Sequence, residues 1–264
     1  MKIVVLGGDT RMVYAGEEFD KRGHTVSLLS PACATALGRE ESLPLARAEL
    51  YLLPMPLTKD KRTLYAPKGP ALLLAEIPHP AGAVYAGGGP SPFQGGRPYF
   101  NYAADPDLIE GNSRLSARGA LAELGNLAGM VQILVLGYGA LGRALAEEAG
   151  VAGYSVTVAA RREASRKEAM ARGYPAIRIG ELPQSKMPTI VYNTVPSPIL
   201  GTEFFKSLPA FSRYFELASL PGGICPDADC GGIPVHNLPG IPGKYAPREA
   251  GFLIYKTVAR HLGL

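Results

Sequence analysis

Cysteine is scarce in this chain, and its scarcity excludes a fold built on disulfides. The 264 residues contain three cysteines, Cys33, Cys225 and Cys230. An odd number in a long chain does not form a disulfide framework. Cys225 and Cys230 lie near His236 in CPDADCGGIPVH, but the spacing is not the CxxC of a zinc site and only one histidine follows. We expect loop thiols and no metal.

Long apolar runs are also missing. No segment approaches the roughly 18 apolar residues that a membrane span needs. The apolar stretch MKIVVLGGD breaks at glycines and is too short for a signal peptide. We therefore expect a cytoplasmic protein without a membrane partner.

Charge of one sign is not concentrated in any segment. The chain has 27 Lys plus Arg against 23 Asp plus Glu, a net charge of +4. Nucleic-acid binding needs a clustered basic face, so we expect no nucleic-acid partner. A mild positive excess does suit anionic small ligands.

Short apolar segments alternate with helical segments along the chain, which predicts an α/β fold with two doubly wound parallel-sheet domains. The glycine- and proline-rich segment 86–100 is predicted to be a loop. The strands predicted in the first half are KIVVLGG, HTVSLLS, AELYLLP, PALLLAE and AVYAGG, and those in the second half are QILVLG, SVTVAA, AIRI, TIVYNT, YFELAS and IPVHN.

Two predicted helices mark the domain boundaries. The helix 112–129 is predicted to link an N-terminal substrate-side domain, residues 1–112, to a Rossmann NAD(P)-binding domain, residues 113–244. The helix 247–261 has proline at its start and apolar residues at helical spacing. We expect this C-terminal helix, in residues 245–264, to return to the first domain.

A complete GxGxxG, GYGALG, follows the strand ILVL and opens the helix LGRALAEEAG. That context is the one in which a dinucleotide-binding turn occurs. Its glycines permit the tight turn, the approach of backbone amides to the pyrophosphate, and close helix–strand packing. The free amides and dipole of the helix N-terminus stabilise the phosphates. The cofactor-binding residues predicted at this turn are Gly137, Tyr138, Gly139, Ala140, Leu141 and Gly142.

The acidic residue that normally follows such a turn is absent. An Asp or Glu about 20 residues later binds the ribose hydroxyls in NAD-binding units. Here the strand ends in Ala160, Arg161 and Arg162. Because arginines bind a 2′-phosphate bidentately and a carboxylate repels it, the sequence predicts NADP rather than NAD. In the alternative interpretation, both arginines only begin an exposed helix.

A second strand–glycine turn, VVLGGDTR, lies near the start of the chain. Met12 takes the third glycine position, and Asp9 would oppose a phosphate. This turn is better suited to orient a substrate, with Arg11 as an anion-binding group. The alternative is that Asp9 caps the helix and Arg11 is a surface residue.

Four motifs in order along the chain resemble the family of dipicolinate synthase A-subunits: GGDTR, NTVPSPIL at 193–200, ELASLPGG at 216–223 and LPGIPGKYAPREAG at 238–251. The resemblance implies a substrate domain followed by a Rossmann domain. It implies NADP-dependent oxidation of dihydrodipicolinate, or its 4-hydroxytetrahydro precursor, to dipicolinate in the mother cell of a sporulating bacterium. It also implies a partner, the flavoprotein-like B-subunit of dipicolinate synthase.

The chain departs from the family pattern at two places. Leu220 stands where the family often has Arg in LASRPGG. In the linker helix, Arg118 stands where the family often has the Glu of T-x-E-G.

The implied substrate carries two carboxylates, which need cationic or amide donors. The predicted substrate-binding residues are Gly8, Asp9, Arg11, Ser113, Arg118 and Lys244, and the candidate catalytic residues are Lys244, Asp9 and His236. Ligands bind at the carboxyl ends of parallel strands. The residues therefore predicted to flank the nicotinamide are Asn193, Thr194, Val195, Pro196, Ala218 and Ser219.

Two other functions stay open at this point. One is another two-domain NAD(P)-dependent dehydrogenase, such as a 2-hydroxyacid dehydrogenase, although its expected Arg, Glu and His set is not found. The other is a non-catalytic, NADP-sensing role, because no acid/base pair is evident. We also expect a homo-oligomer.

Overall fold

Two parallel sheets organise the part of the chain that the structure describes. This computed structural model describes residues 1–29, 47–67, 72–93, 95–125, 131–179, 181 and 189–264. They form two compact units. One consists of Met1–Asn112 with Pro242–Leu264, and the other of Ser113–Ile241. The first unit is thus assembled from two separate stretches of the chain.

The first sheet is parallel throughout, with strand order β2-β1-β3-β4-β5. Its strands are β1 Lys2–Leu6, β2 Thr25–Leu29, β3 Leu50–Leu52, β4 Val84–Gly87 and β5 Tyr99–Asn101. Ile3, Val4 and Val5 are completely buried, as expected of an interior strand covered on both faces. Four of the five strands predicted in this half are confirmed.

The fifth, PALLLAE, is wrong as a strand. Residues 70 and 71 lie outside the described residues, and Leu74–Glu76 form a short 3-10 helix. The Glu76 carboxylate accepts a hydrogen bond of 3.1 Å from the amide of Leu73, which closes this turn locally. β5 instead begins inside the segment 86–100 that was predicted to be a loop.

The described residues contain seven α-helices. They are α1 Thr10–Asp20, α2 Pro106–Ala122, α3 Ala140–Val151, α4 Glu163–Ala171, α5 Thr202–Lys206, α6 Ile241–Tyr245 and α7 Pro247–Leu262. Helix α2 begins six residues before the predicted start at 112, because Asp105 accepts hydrogen bonds from the amides of Asp107 (3.1 Å) and Leu108 (3.2 Å). Residues 126–130 of the predicted helix lie outside the described residues, as does Cys33.

Helix α7 returns to the first unit, as predicted, and packs along α1. Ile254 and Val258 of α7 are completely buried, and the ring of Tyr255 meets Phe19 edge-on at 4.8 Å. The helices cross closely at Gly251, where a Cβ atom would lie 2.6 Å from the carbonyl oxygen of Arg11.

The second sheet is also parallel, with strand order β11-β10-β9-β6-β7-β8. Its strands are β6 Gln132–Leu136, β7 Ser155–Ala159, β8 Ala176–Ile177, β9 Thr189–Asn193, β10 Arg213–Glu216 and β11 Val235–Asn237. All six were predicted. The chain builds outward from β6 in one direction and then returns to build from β9 in the other. In such sheets ligands bind beyond the carboxyl ends at this switch point.

The predicted fold class is confirmed: two doubly wound parallel sheets, the second with Rossmann-like order, and a returning C-terminal helix. None of the helices in the described ranges has both the length and the apolar character to cross a membrane.

Candidate functional site

A tight turn after β6 forms the floor of the candidate site. Gly137 has φ +90°, which favours glycine, and its amide donates to the carbonyl of Ala159 at 2.8 Å. A Cβ atom on Gly137 would lie 2.5 Å from Thr194 Oγ1, and one on Gly142 would lie 2.2 Å from the carbonyl oxygen of Gly137. The glycines at 137 and 142 are therefore required by contacts within the protein.

Gly139 is different, because the protein leaves open space beside it. It is the N-cap of α3, with φ −86°, and no side chain caps the helix at this residue. A Cβ atom on Gly139 would meet no heavy atom within 4 Å. The exposed helix N-terminus, with its amides and positive dipole end, can therefore receive a phosphate.

A cleft of about 520 Å³ lies against this turn, within the second unit. It brings most of the predicted cofactor-binding residues together. Those along its lining are Gly137, Tyr138, Gly139, Ala140, Leu141, Ala160, Arg161, Arg162, Thr194, Val195 and Pro196. Four residues that sequence reasoning missed also line it: Ser165, Ile179, Ser197 and Ile199.

Arg161 and Arg162 are exposed on the turn between β7 and α4. Among the described residues, neither guanidinium forms an ion pair. The turn itself is held by Arg166, whose Nη1 donates to the carbonyls of Ala160 (2.8 Å) and Arg161 (2.7 Å). Ser165, in the first turn of α4, lines the cleft together with these arginines and is 7% exposed. Its position three residues after Arg162 in the sequence was the signal that could have identified Ser165 as a lining residue.

The loop after β9 forms another wall of the cleft. The Thr194 hydroxyl donates to the carbonyl of Leu136 at 2.8 Å, which ties this loop to the end of β6. Asn193 is completely buried; its Oδ1 accepts from the amide of Val195 (3.0 Å) and its Nδ2 donates to the Val195 carbonyl (2.9 Å). Asn193 thus shapes the loop from behind.

The loop after β10 carries the last two predicted cofactor residues. The amide of Ala218 donates to the carboxylate of Glu216 at 2.9 Å, and Ser219 is exposed. Both lie outside the described lining of the cleft. Leu220, at the family's frequent Arg position, is 94% exposed.

Tyr138 lines the cleft and carries a buried hydroxyl group. The residue is 3% exposed, and its hydroxyl has no hydrogen-bond partner among the described residues. Burial raises the pKa of Tyr138, so the hydroxyl group stays neutral.

In the first unit, Asp9 and Arg11 bind each other. Arg11 Nε donates to Asp9 Oδ1 at 2.9 Å, and Arg11 Nη2 donates to Asp9 Oδ2 at 2.8 Å and to the carbonyl of Met55 at 2.6 Å. Asp9 also caps α1 by accepting from the Arg11 amide at 3.1 Å. Burial opposes the charge on Arg11, but the hydrogen bond to Asp9 holds its pKa above the usual value.

These contacts change the interpretation of the first glycine turn. Asp9 does cap the helix, and Arg11 is a buried ion-pair partner rather than a surface residue. The Gly8 amide donates to the carbonyl of Tyr65 at 2.6 Å, and its role in binding a substrate stays a prediction.

The residue before Lys244 reaches the pair of Asp9 and Arg11 from the other stretch of the first unit. The neighbouring Gly243 lies so close that a Cβ atom there would be 3.0 Å from both Arg11 Nε and Asp9 Oδ2. Lys244 itself is exposed at the end of α6. The motifs GGDTR and LPGIPGKYAPREAG therefore meet in the first unit.

The remaining predicted residues lie in the second unit. Ser113 is half-buried on α2. Arg118 Nε donates to Glu148 Oε1 at 2.9 Å, so its charge is already paired. His236 is exposed on the edge strand β11, with its ring stacked on Phe215 at 4.8 Å.

Comparison with known proteins gives a consistent result. No family model matches the chain. A segment of 133 residues is 32% identical to the A-subunit of dipicolinate synthase from Bacillus subtilis. The chain resembles the dipicolinate synthase A-subunit. The match covers 50% of this chain and 45% of that protein, less than half of the relative's own length.

Solved structures extend the likeness to the whole fold. The dipicolinate synthase A-subunit from Bacillus halodurans superposes with a TM-score of 0.79 at 20% identity, covering 100% of this chain and 98% of the other. Its Bacillus subtilis counterpart gives 0.78 at 23% identity, with coverages of 100% and 96%. A transhydrogenase from Sinorhizobium meliloti gives 0.63 at 15% identity, with coverages of 98% and 92%. At these identities the superpositions concern the fold, and the resemblance first seen in the motifs is confirmed.

Proposed function

We propose that the second unit binds NADP in the cleft beside GYGALG. The observation that carries this proposal is that the glycine turn and the pair Arg161 and Arg162 line one cleft. The distribution of groups fits the cofactor. Arg161 and Arg162 would bind the 2′-phosphate, and the amides after Gly139 would bind the pyrophosphate. The loop 194–196 would lie beside the nicotinamide.

We further propose that the chain is an oxidoreductase with the role of a dipicolinate synthase A-subunit. The support is the 32% identity to that protein over 133 residues together with the resemblance of the four motifs to its family. The reaction converts dihydrodipicolinate to dipicolinate, so that the ring loses a hydride and a proton. If the 4-hydroxytetrahydro precursor is the substrate, water leaves as well. NADP, when bound, accepts the hydride.

Lys244 is our candidate for contacting the substrate in the first unit. Lys244 is exposed and directly follows Gly243, which packs against the pair of Asp9 and Arg11; its ammonium group can bind a substrate carboxylate or exchange a proton with the ring. Asp9 already uses both carboxylate oxygens, which favours a role in holding Arg11. Ser113 stays a candidate hydrogen-bond donor. His236 stays a candidate acid or base, although its ring stacks on Phe215.

The partners belong to the same proposal. A dicarboxylate substrate, a flavoprotein-like B-subunit and a location in the mother cell's cytoplasm would follow from the resemblance. Homo-oligomerisation is included from the sequence-based expectation, and light scattering of the purified chain measures it.

A second candidate is a non-catalytic protein that binds NADP. Arg11 and Arg118 are each engaged with a carboxylate, which reduces the number of cationic groups open to a dicarboxylate. Cofactor binding without turnover would support this candidate.

A coupled assay tests the proposed function. 4-Hydroxytetrahydrodipicolinate is generated in place from pyruvate and aspartate semialdehyde, and dipicolinate is followed by its ultraviolet absorbance after the chain and NADP are added. The assay is run with and without the candidate B-subunit. Dipicolinate that depends on this chain supports the proposal, and a Lys244→Ala variant tests the role of the lysine. Tight NADP binding with no product under either condition would contradict the catalytic role.

A further inference from the structure

One carboxylate, that of Glu216 at the end of β10, is bound by four hydrogen-bond donors. Oε1 accepts from Asn193 Nδ2 at 2.8 Å and from the Ala218 amide at 2.9 Å. Oε2 accepts from the Tyr214 hydroxyl at 2.7 Å and from the Gly223 amide at 2.8 Å. Each oxygen thus has two donors, and hydrogen bonds to an ionised acceptor are stronger than neutral ones.

These donors come from parts of the chain that are separated in sequence. Asn193 ends β9, and its side chain also binds both backbone groups of Val195, which lines the cleft. Ala218 and Gly223 belong to the loop after β10. Glu216 therefore connects the loop that follows β9 to the loop that follows β10.

The loop after β10 packs closely against Glu216 and its hydrogen-bond donors. A Cβ atom on Gly223 would lie 2.4 Å from Asn193 Nδ2 and 2.8 Å from the Tyr214 hydroxyl oxygen. Gly222, with φ +83°, would place a Cβ atom 2.9 Å from Glu216 Oε2. The carbonyl of Gly223 also accepts from the amide of Ile199 at 2.8 Å. The two loops are consequently fixed to each other.

The four hydrogen-bond donors require a negatively charged carboxylate at residue 216. Tyr214 is completely buried, and burial together with the hydrogen bond to Glu216 raises the pKa of Tyr214, so its hydroxyl group stays a donor. A glutamine at 216 has the same shape as glutamate but carries an NH₂ group. That group would face two donors wherever it pointed.

We propose that Glu216 is a positioning residue that holds the loops after β9 and β10 in the conformation that receives the nicotinamide half of the dinucleotide. The inference rests on the proposed NADP site. Glu216 acts through Asn193, Val195 and Ala218, and its effect is confined to one half of the cofactor. The adenosine half is bound elsewhere in the cleft, at Arg161 and Arg162.

Glu216→Gln in the full chain tests this proposal, with Glu203→Gln as matched control because the Glu203 side chain is 87% exposed on α5. The affinities for NADPH and for 2′,5′-ADP, which represents the adenosine half alone, are measured by calorimetry. We expect NADPH binding to weaken about tenfold and 2′,5′-ADP binding to stay within about twofold. The fluorescence of bound NADPH should move toward that of free NADPH. The control should match the wild type in all three.

Equal losses for both ligands would mean that Glu216 is only structural and would overturn the inference, as would unchanged NADPH binding. If Glu216→Gln does not fold, Tyr214→Phe removes a single donor and should give the same selective loss at smaller size. A wild-type chain that binds neither ligand would instead speak against the proposed NADP site. The two proposals therefore fail in distinguishable ways.

Discussion

Gly142 approaches Gly137 so closely that a Cβ atom at 142 would lie 2.2 Å from the carbonyl oxygen of Gly137. Both glycines belong to the turn that forms the cleft floor. Gly142→Ala must therefore displace backbone. We expect NADPH affinity to fall by at least about tenfold and the melting temperature to fall as well, since overpacking costs about 1–3 kcal/mol. Calorimetry and thermal unfolding measure the two effects.

Gly139→Ala separates binding from folding. Its Cβ atom would meet no protein atom within 4 Å, and φ −86° is allowed for alanine. We expect unchanged thermal stability but weaker NADPH binding, because the added methyl group enters the space proposed for the pyrophosphate. Binding as tight as in the wild type would show that the phosphates lie elsewhere.

Arg161→Ala and Arg162→Ala test the 2′-phosphate assignment. At least one of them should weaken NADP binding about tenfold or more while leaving NAD binding nearly unchanged, since only NADP carries the extra phosphate. Lys167→Ala is the matched control, because Lys167 lies on α4, the helix that follows the two arginines, is 70% exposed and pairs with Glu163. Equal losses for NADP and NAD would exclude this role for the arginines.

Local sequence patterns correctly predicted the structural elements that depend on consecutive residues. The strands of the second sheet and the turn GYGALG follow from apolar runs and glycine spacing, which are properties of consecutive residues. The helix cap at Asp105 and the network of Glu216 were missed. Asp105 stood outside the apolar periodicity used to place the helix start, and the carboxylate of Glu216 is bound by groups up to 23 residues away in sequence.

Contacts between distant residues also decided the structure of the first glycine turn, which its local sequence had left open. Its sequence allowed Arg11 to be either an anion-binding group or a surface residue, and it is a buried partner of Asp9 and of the Met55 carbonyl. The second of these contacts spans 44 residues. PALLLAE failed for a related reason: two hydrogen bonds between Leu73 and Glu76 close a turn that apolar composition does not reveal.

Arg11→Ala should destabilise the first unit. The Arg11 side chain is 7% exposed and that of Asp9 is 21% exposed, so removing the guanidinium leaves a largely buried carboxylate without its main partner. We expect a loss of about 3 kcal/mol in the free energy of unfolding, measured by urea denaturation. Lys21→Ala, which removes an exposed charge just after α1 in the same unit, should cost less than about 1 kcal/mol. Similar values for both would contradict the structural role of Arg11.

Gly251→Ala tests the crossing of α7 and α1. The new methyl group would lie 2.6 Å from the Arg11 carbonyl oxygen and 2.6 Å from Tyr14 Cβ. Although alanine favours helix more than glycine does, we expect a net destabilisation of about 1–3 kcal/mol. Lys256→Ala, at an exposed position of α7, serves as the comparison and should have little effect. A stabilised Gly251→Ala would show that the two helices separate at no cost.

The packing of α7 on α1 also bears on the order in which the chain can fold during synthesis. Residues 113–241 form a contiguous unit, whereas the first unit includes Pro242–Leu264. On a ribosome, which delivers the N-terminal residues first, α1 emerges long before α7, the helix that packs on Phe19. The first unit is therefore completed only after the whole second unit has been synthesised, and ribosome-bound chains stopped before α7 should expose the apolar surface of α1 to chaperones and proteases.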